Sequence, residues 1–234
     1  MCTAALAYDR LVPMTIGDRT ATLRSTAAPL HLPTVAGHAR VLRRGEPLYL
    51  VGSASDTVYR VESGLLAMSL PLRSGRERIV ALAGPGEFLG ALAPERREHE
   101  ERAEALSATV VVIGLPRAEL DDAFERTLFE TLDRHASRLR YALEDADRPV
   151  VVRLGLALID LGWRYGHLGE DGATRLTLPL THEHLAAMIG AARETTSAAL
   201  ATLRAEAGVD GTRGRYRFVE GTLRDALTSL DPKN

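Results

Sequence analysis

The chain has 234 residues, 45% of them hydrophobic, and a formal net charge of −2. No field of the whole protein can draw in nucleic acid, so any such contact must come from local basic clusters. Cys2 is the only cysteine, which excludes an intrachain disulfide and a cysteine-held zinc or iron–sulfur site. No apolar run approaches the ~20 residues of a membrane span. The N-terminus has no basic region ahead of an apolar core, so the expected setting is cytoplasmic, with no membrane partner.

Residues 1–38 read as an N-terminal extension in which Pro13, Pro29 and Pro33 interrupt any long element. Residues 39–116 change texture. Short apolar runs recur at Leu48–Val51, Thr57–Val61, Leu65–Leu70, Ile79–Leu82 and Val110–Leu115, separated by glycine-, serine- and proline-bearing turns. Many short strands at this spacing predict a β-barrel, roll or sandwich. The mixed charge run from Glu95 to Arg102 reads as an exposed loop or short helix.

Residues 117–147 turn helical. Leu128, Leu132, His135, Leu139, Ala142 and Ala146 follow one another in steps of three or four, close to a 3.5-residue period. A seam of this kind suits a helix pairing with its own copy in a dimer. Packing on the same chain's β-domain explains it almost as well.

Asp147-Arg148-Pro149 marks a boundary, with Asp147 expected to cap the next helix. Residues 148–234 then give an apolar helix over Val151–Tyr165, a turn at Gly169–Gly172 and a strand at Arg175–Leu180. Two amphipathic helices follow around Gly190, and Leu223–Leu230 forms a terminal helix. Thr181 is the expected N-cap of the first amphipathic helix, and Gly190 ends it in the left-handed region. The second opens with Arg193, Glu194, Thr195, Thr196 and Ser197 on its polar face. Helix, tight glycine turn and polar-led helix form the helix-turn-helix pattern; a plain helical hairpin with a solvated face is the alternative. Arg213 to Val219 alternate basic with glycine, aromatic or apolar residues, which suits a two-stranded wing whose turn faces phosphate. An arginine fork reads guanine, a glutamate accepts from the cytosine amino group, and short hydroxyls reach phosphates or bases. The candidate DNA contacts are therefore Thr181, His182, Glu183, Arg193, Glu194, Thr195, Ser197, Arg213 and Arg215.

From about Arg40 to Val219 the chain resembles the CRP–FNR (catabolite activator / fumarate-nitrate regulator) transcription factors. The resemblance rests on LTHEHLAAMIGAARETTSAAL, on LRRGEPLYLVGSASDTVYRVESGLL and on GRERIVALAGPGEFLGAL. It implies an α+β fold: a cyclic-nucleotide-binding-like β-roll, a long dimerisation helix and a C-terminal winged helix-turn-helix. It implies double-stranded DNA with an inverted-repeat operator, a second copy of the chain and RNA polymerase as partners. At the effector site the sequence departs from the family. Gly90-Ala91-Leu92 stands where nucleotide-binding members have Gly-Glu-Leu, and His99-Glu100 where they have Arg-Ser or Arg-Thr. Arg138 and Leu139 replace hydroxyl residues on the dimer helix. A carboxylate without a cation repels phosphate, so the site around Ala91, His99, Glu100, Arg138 and Leu139 reads as degenerate. No cofactor and no metal is expected. Ala198 also replaces the family's second recognition-helix arginine, and His182 occupies a site where an arginine often meets DNA.

The expected function is thus a homodimeric, sequence-specific transcription regulator, an activator that does not depend on cyclic nucleotide. A regulator sensing another small molecule in the β-roll is the alternative within the family. A cupin-like metal enzyme and a helical interaction module are the alternatives outside it.

Overall fold

A computed structural model describes residues 37–93 and 95–232. The extension predicted over residues 1–38 lies outside them except for its last two residues. Strands β1 (His38–Arg43), β2 (Pro47–Tyr49), β3 (Thr57–Ser63), β4 (Leu66–Pro71), β5 (Glu77–Ala83), β6 (Phe88–Gly90), β7 (Arg102–Ala105) and β8 (Thr109–Pro116) build the N-terminal half. They form two antiparallel four-stranded sheets, ordered β1-β8-β3-β6 and β2-β7-β4-β5. Inward residues of both sheets, including Leu42, Val61, Leu66, Val110 and Val112, bury one another as alternation along pleated strands requires. The supposed loop at Glu95–Arg102 is corrected in part. Arg102 opens β7, and His99 within the run is 3% exposed.

Helix α1 (Asp122–Glu144) is capped by Asp121, whose carboxylate accepts from the Phe124 amide at 2.8 Å. Its first turns seal the open end of the roll. Phe124 and Leu128 are buried against Val58, Phe88, Ala91 and Leu115, with the Phe88 and Phe124 rings edge-to-face at 5.1 Å. A short 3₁₀ turn, Asp145–Asp147, leads to helix α2 (Val150–Tyr165). Asp147 does not cap α2. Pro149 stands at the N-cap without a side-chain bond, because Asp147 is taken up in the preceding turn.

The C-terminal half adds β9 (His167–Leu168), β10 (Thr174–Thr177), α3 (His182–Ile189), α4 (Arg193–Glu206), β11 (Asp210–Thr212), β12 (Arg215–Phe218) and α5 (Glu220–Leu230). Its sheet runs β11-β12-β10-β9. The two halves share a core. Leu65, Ile79, Leu82 and Leu106 of the roll pack in one cluster with Leu154, Leu158, Leu180, Leu185 and Ile189. Burial of this kind is worth roughly 25 cal/mol per Å² of apolar surface, so it holds α3 against β5.

Candidate nucleic-acid interface

The helix-turn-helix is built from its caps inward. Thr181 Oγ1 accepts from the His184 amide at 3.2 Å, and His184 Nδ1 accepts from the Thr181 amide at 3.2 Å. This reciprocal box satisfies two N-terminal donors that would otherwise be orphaned. Gly190 ends α3 at φ +65. A side chain there would need a conformation that L residues disfavour by about 1–2 kcal/mol. It would also meet the guanidinium of Arg78, which lies 1.5 Å from the position a Cβ would take.

Within α4, Thr196 is buried and its hydroxyl donates to the Ala192 carbonyl at 2.9 Å. Ser197 donates to the Arg193 carbonyl at 3.0 Å and stands 2.9 Å from His182 Nδ1. When Nδ1 carries its proton, both bonds are satisfied. His182 and Ser197 therefore brace α3 against α4, which the sequence reading had not anticipated for either. The outer face is left to Arg193, Glu194, Thr195 and Ala198, all exposed, with Thr181 and Glu183 exposed beside them.

The wing turns on two residues. Arg213 and Gly214 both have positive φ, +52 and +79, the signature of a type I′ hairpin. A Cβ on Gly214 would lie 1.8 Å from the Leu178 carbonyl oxygen, so the close approach also requires glycine. Along β12, Arg215 and Arg217 point outward while Tyr216 and Phe218 are buried. Asp171 binds Arg175 at 2.7 Å and Arg217 at 2.9 Å. Hydrogen bonds from those two arginines hold its carboxyl far below the usual carboxylate range. Arg213 and Arg215, by contrast, have no partner among the described residues.

The residues assigned to an effector site are not brought together. Ala91 is buried against Phe124 and Leu128. The His99 ring stacks on Tyr49 at 3.7 Å and 10°, and Tyr49 stacks in turn on Tyr59 at 6.2 Å. Burial, with Arg96 adding to it and Asp56 opposing, lowers the His99 pKa. Glu100 is exposed and pairs with Arg96 at 3.3 Å. Arg138 and Leu139 line a different space, a cavity between the two halves that none of Ala91, His99 or Glu100 borders. A single degenerate pocket formed by all five is therefore corrected.

Comparison with known proteins matches residues 39–127 to a cyclic nucleotide-binding domain and residues 152–230 to a Crp-like helix-turn-helix domain. The chain is 30% identical to the CRP-like cAMP-activated global transcriptional regulator of Mycobacterium tuberculosis, over 68% of this chain and 73% of that protein. It is 27% identical to the transcriptional activator protein Anr of Pseudomonas protegens, over 71% of this chain and 70% of that protein. The structure of FixK2 from Bradyrhizobium japonicum superposes with a TM-score of 0.71 at 21% identity, covering 84% of this chain and 98% of that one. This chain belongs to the CRP–FNR family.

As a CRP–FNR protein it is a DNA-binding transcription regulator and not an enzyme, which removes the cupin alternative and the non-DNA interaction module. Among the described residues no helix is long and apolar enough to cross a membrane. The family's dimer-helix position falls on α1, but the seam expected there needs correcting. Leu128 is fully buried in this chain's own core and cannot face a partner. His135 is turned toward Glu87, Arg138 and Arg164, and burial with those arginines lowers its pKa to about 4. Ala142 lines the cavity between the halves. The exposed apolar stripe is instead Phe129, Leu132, Ala136, Leu139, Leu143 and Ala146. Its steps of three and four alternate without a break, an a/d heptad frame shifted by one residue at three of six positions.

Sequence reasoning also missed the ion pair that ties the halves together. Arg164 donates to both oxygens of Glu87 at 3.0 and 3.1 Å, the Tyr165 hydroxyl donates to Glu87 at 2.6 Å, and the Gly84 amide adds a fourth bond at 2.8 Å. Burial works against the Glu87 charge, but these partners outweigh it and hold the carboxyl below its ordinary value. Seventy-seven residues separate Glu87 from Arg164, so no local pattern announces the pair.

Proposed function

We propose that this regulator works as a homodimeric activator on an inverted-repeat operator, without cyclic nucleotide, in the cytoplasm and in contact with RNA polymerase. The observation that carries the reading is the pairing of two exposed surfaces. One is the apolar a/d stripe of α1, which only a second helix would cover well. The other is the outer face of α4 with the wing. Two recognition helices related by a two-fold would enter successive major grooves, with half-sites ~34 Å apart. Arg193 would read guanine and Glu194 a cytosine amino group, while Thr195, Arg213 and Arg215 would hold phosphates. The activating sign is supported by the name of the Pseudomonas relative.

The Mycobacterium relative is, by its name, cAMP-activated. In this chain the positions that resemble the phosphate-binding pair are His99 and Glu100, and His99 is packed on Tyr49. The cation beside them, Arg96, is already paired with Glu100 and Glu101, and opening the stack would lose an aromatic contact worth about 1 kcal/mol. Selection of bound sequences from random duplex DNA by the purified protein tests the reading. An enriched inverted repeat without added effector supports it; enrichment only after cyclic AMP is added refutes effector independence. Cyclic AMP should also leave thermal stability unchanged, whereas a ligand at 100 times its Kd would add about 2.7 kcal/mol.

A further inference from the structure

The space between the two halves is a cavity of about 540 Å³, within the range that holds small organic ligands. Strand β5, the C-terminal half of α1 and helix α2 supply three walls. Ile79, Ala142, Leu156 and Ala157 give it an apolar lining, and Trp163 stands at one side. Its charges are unbalanced. Among the described residues, five arginines and two aspartates border it. Both aspartates already have cations: Asp145 pairs with Arg148 at 3.0 Å and Asp160 with Arg164 at 3.6 Å.

Three of the arginines make no ion pair among the described residues, and one of them, Arg138, lies in the field of Asp160 and Glu87. Arg153 donates only to the Ile189 carbonyl at 2.7 Å. Arg78 lies across Gly190. Arg138 makes no hydrogen bond there, and its Nε is buried without a partner. Burial first, then Arg153, lowers the pKa of Arg78; burial first, then Arg164, lowers that of Arg138, with Asp160 and Glu87 opposing. Guanidinium groups gathered at an apolar cavity are complementary to an anion that brings its own apolar body.

We propose that this cavity is a binding site for an amphipathic organic anion, a carboxylate head on an apolar chain as in a fatty acid. The head would pair with Arg78 and Arg153, which are neighbours beside Gly190 and Ile189, and the chain would lie along Ile79, Leu156 and Ala157. A second copy of the protein is the competing occupant, and a monomeric variant separates the two. Arg138 and Ala142 lie on the face of α1 turned to its own chain, while the stripe for a partner helix borders the cavity through Leu139, Leu143 and Ala146, its three residues at that level. The ligand would touch both halves of the molecule. It would therefore shift their arrangement to the extent that it prefers one of them.

Trp163 is the only tryptophan in the chain, so its fluorescence reads occupancy without reference to DNA. The full-length protein is titrated with laurate below its micelle concentration, and in parallel with dodecanol and dodecyltrimethylammonium. The expected result is a saturable change in Trp163 emission with laurate, weaker by about tenfold or more with the two uncharged or cationic analogues. The double variant R78M/R153M should lose a similar factor for laurate. Should that variant misfold by circular dichroism, A142F, which fills the cavity, serves instead and should abolish the response. Equal responses to all three amphiphiles would overturn the proposal, as would no response to laurate. Binding seen only in a monomeric L143D variant would overturn it too, because the second copy would then occupy the cavity in the dimer. None of these readouts depends on operator binding.

Discussion

Removing Leu143 should weaken dimerisation far more than it weakens folding. Leu143 is 76% exposed in the single chain. Complete burial of a leucine is worth roughly 1.5–3 kcal/mol, so covering its exposed part is worth about 1.1–2.3 kcal/mol. A two-fold interface counts the residue twice, giving about 2–4.5 kcal/mol per dimer. At 1.4 kcal/mol per tenfold, L143A should raise the dimer Kd by roughly 30- to 1,500-fold. F129A, at a site 71% exposed, should act in the same range. L128A is the contrasting variant. It empties a fully buried site in this chain's own core, so it should lower folding stability by about 2–5 kcal/mol without an interface of its own. Sedimentation velocity across a concentration series reads association, and urea unfolding of the monomeric L143D background reads stability. If L143A dimerises like the parent while an aspartate at Ala142 dissociates it, the partner lies on the other face of α1 and the frame drawn here is wrong.

R193A should cost about 1–3 kcal/mol per half-site and relax preference at one base pair, whereas R215A should weaken all sequences alike and reduce the salt slope by about one ion; a binding scan of single-base operator variants separates the two, and a uniform loss in R193A would make Arg193 a phosphate contact. G190A should destabilise by about 1–2 kcal/mol through its φ of +65, with G190N losing less; equal melting temperatures for G190A and the parent would contradict that backbone. His135 should make the protein acid-sensitive. Its pKa falls from 6.5 to about 4 on folding, so the unfolded chain binds the extra proton and stability drops as pH falls between those values, by at most about 3 kcal/mol. H135L should lack that loss above pH 4.5, where Glu87 keeps its charge; parallel stability–pH curves for H135L and parent would disprove a buried neutral imidazole.

The parts legible in the sequence are those whose geometry is local. Gly190 between two amphipathic stretches, and Arg213-Gly214 between alternating residues, specify their turns through φ alone. Strands with branched or large apolar residues, such as β3 and β8, were likewise visible. Those missed lack that signal for different reasons. β1 buries only Leu42 because it is an edge strand. β6 is three residues long. β7 turns only Ala103 and Ala105 inward and shows charge on its other face, so it merges with the charge run before it. The dimer stripe was misframed because Leu128 and Phe129 are both apolar, and two frames share Leu132, Leu139 and Ala146. The choice depends on which side the β-roll covers, a tertiary fact. One signal was present all the same: the frame through Phe129, Ala136 and Leu143 contains no histidine.

The connection between the halves bears on how operator geometry is set. In many two-domain chains a polar, wet interface lets the domains move. Here apolar burial from Leu82 to Ile189 is continuous, and the Glu87 site adds three hydrogen bonds across the halves, two of them from a cation. Breaking a buried ion pair by removing one partner costs about 3–5 kcal/mol, although Glu87 is 29% exposed and solvent will reduce that figure. Rotation of α4 relative to α1 would have to break this pair and lift Arg78 from the turn at Gly190. The distance between paired recognition helices would then be fixed by packing already made within each protomer, with no nucleotide needed to set it. On this reasoning E87A is a spacing variant more than an affinity variant. It should loosen the preference for half-site separation in a selection experiment while leaving the base preferences of Arg193 and Glu194 in place, and a selected operator with unchanged spacing would mean that the apolar contact alone holds the two halves in register.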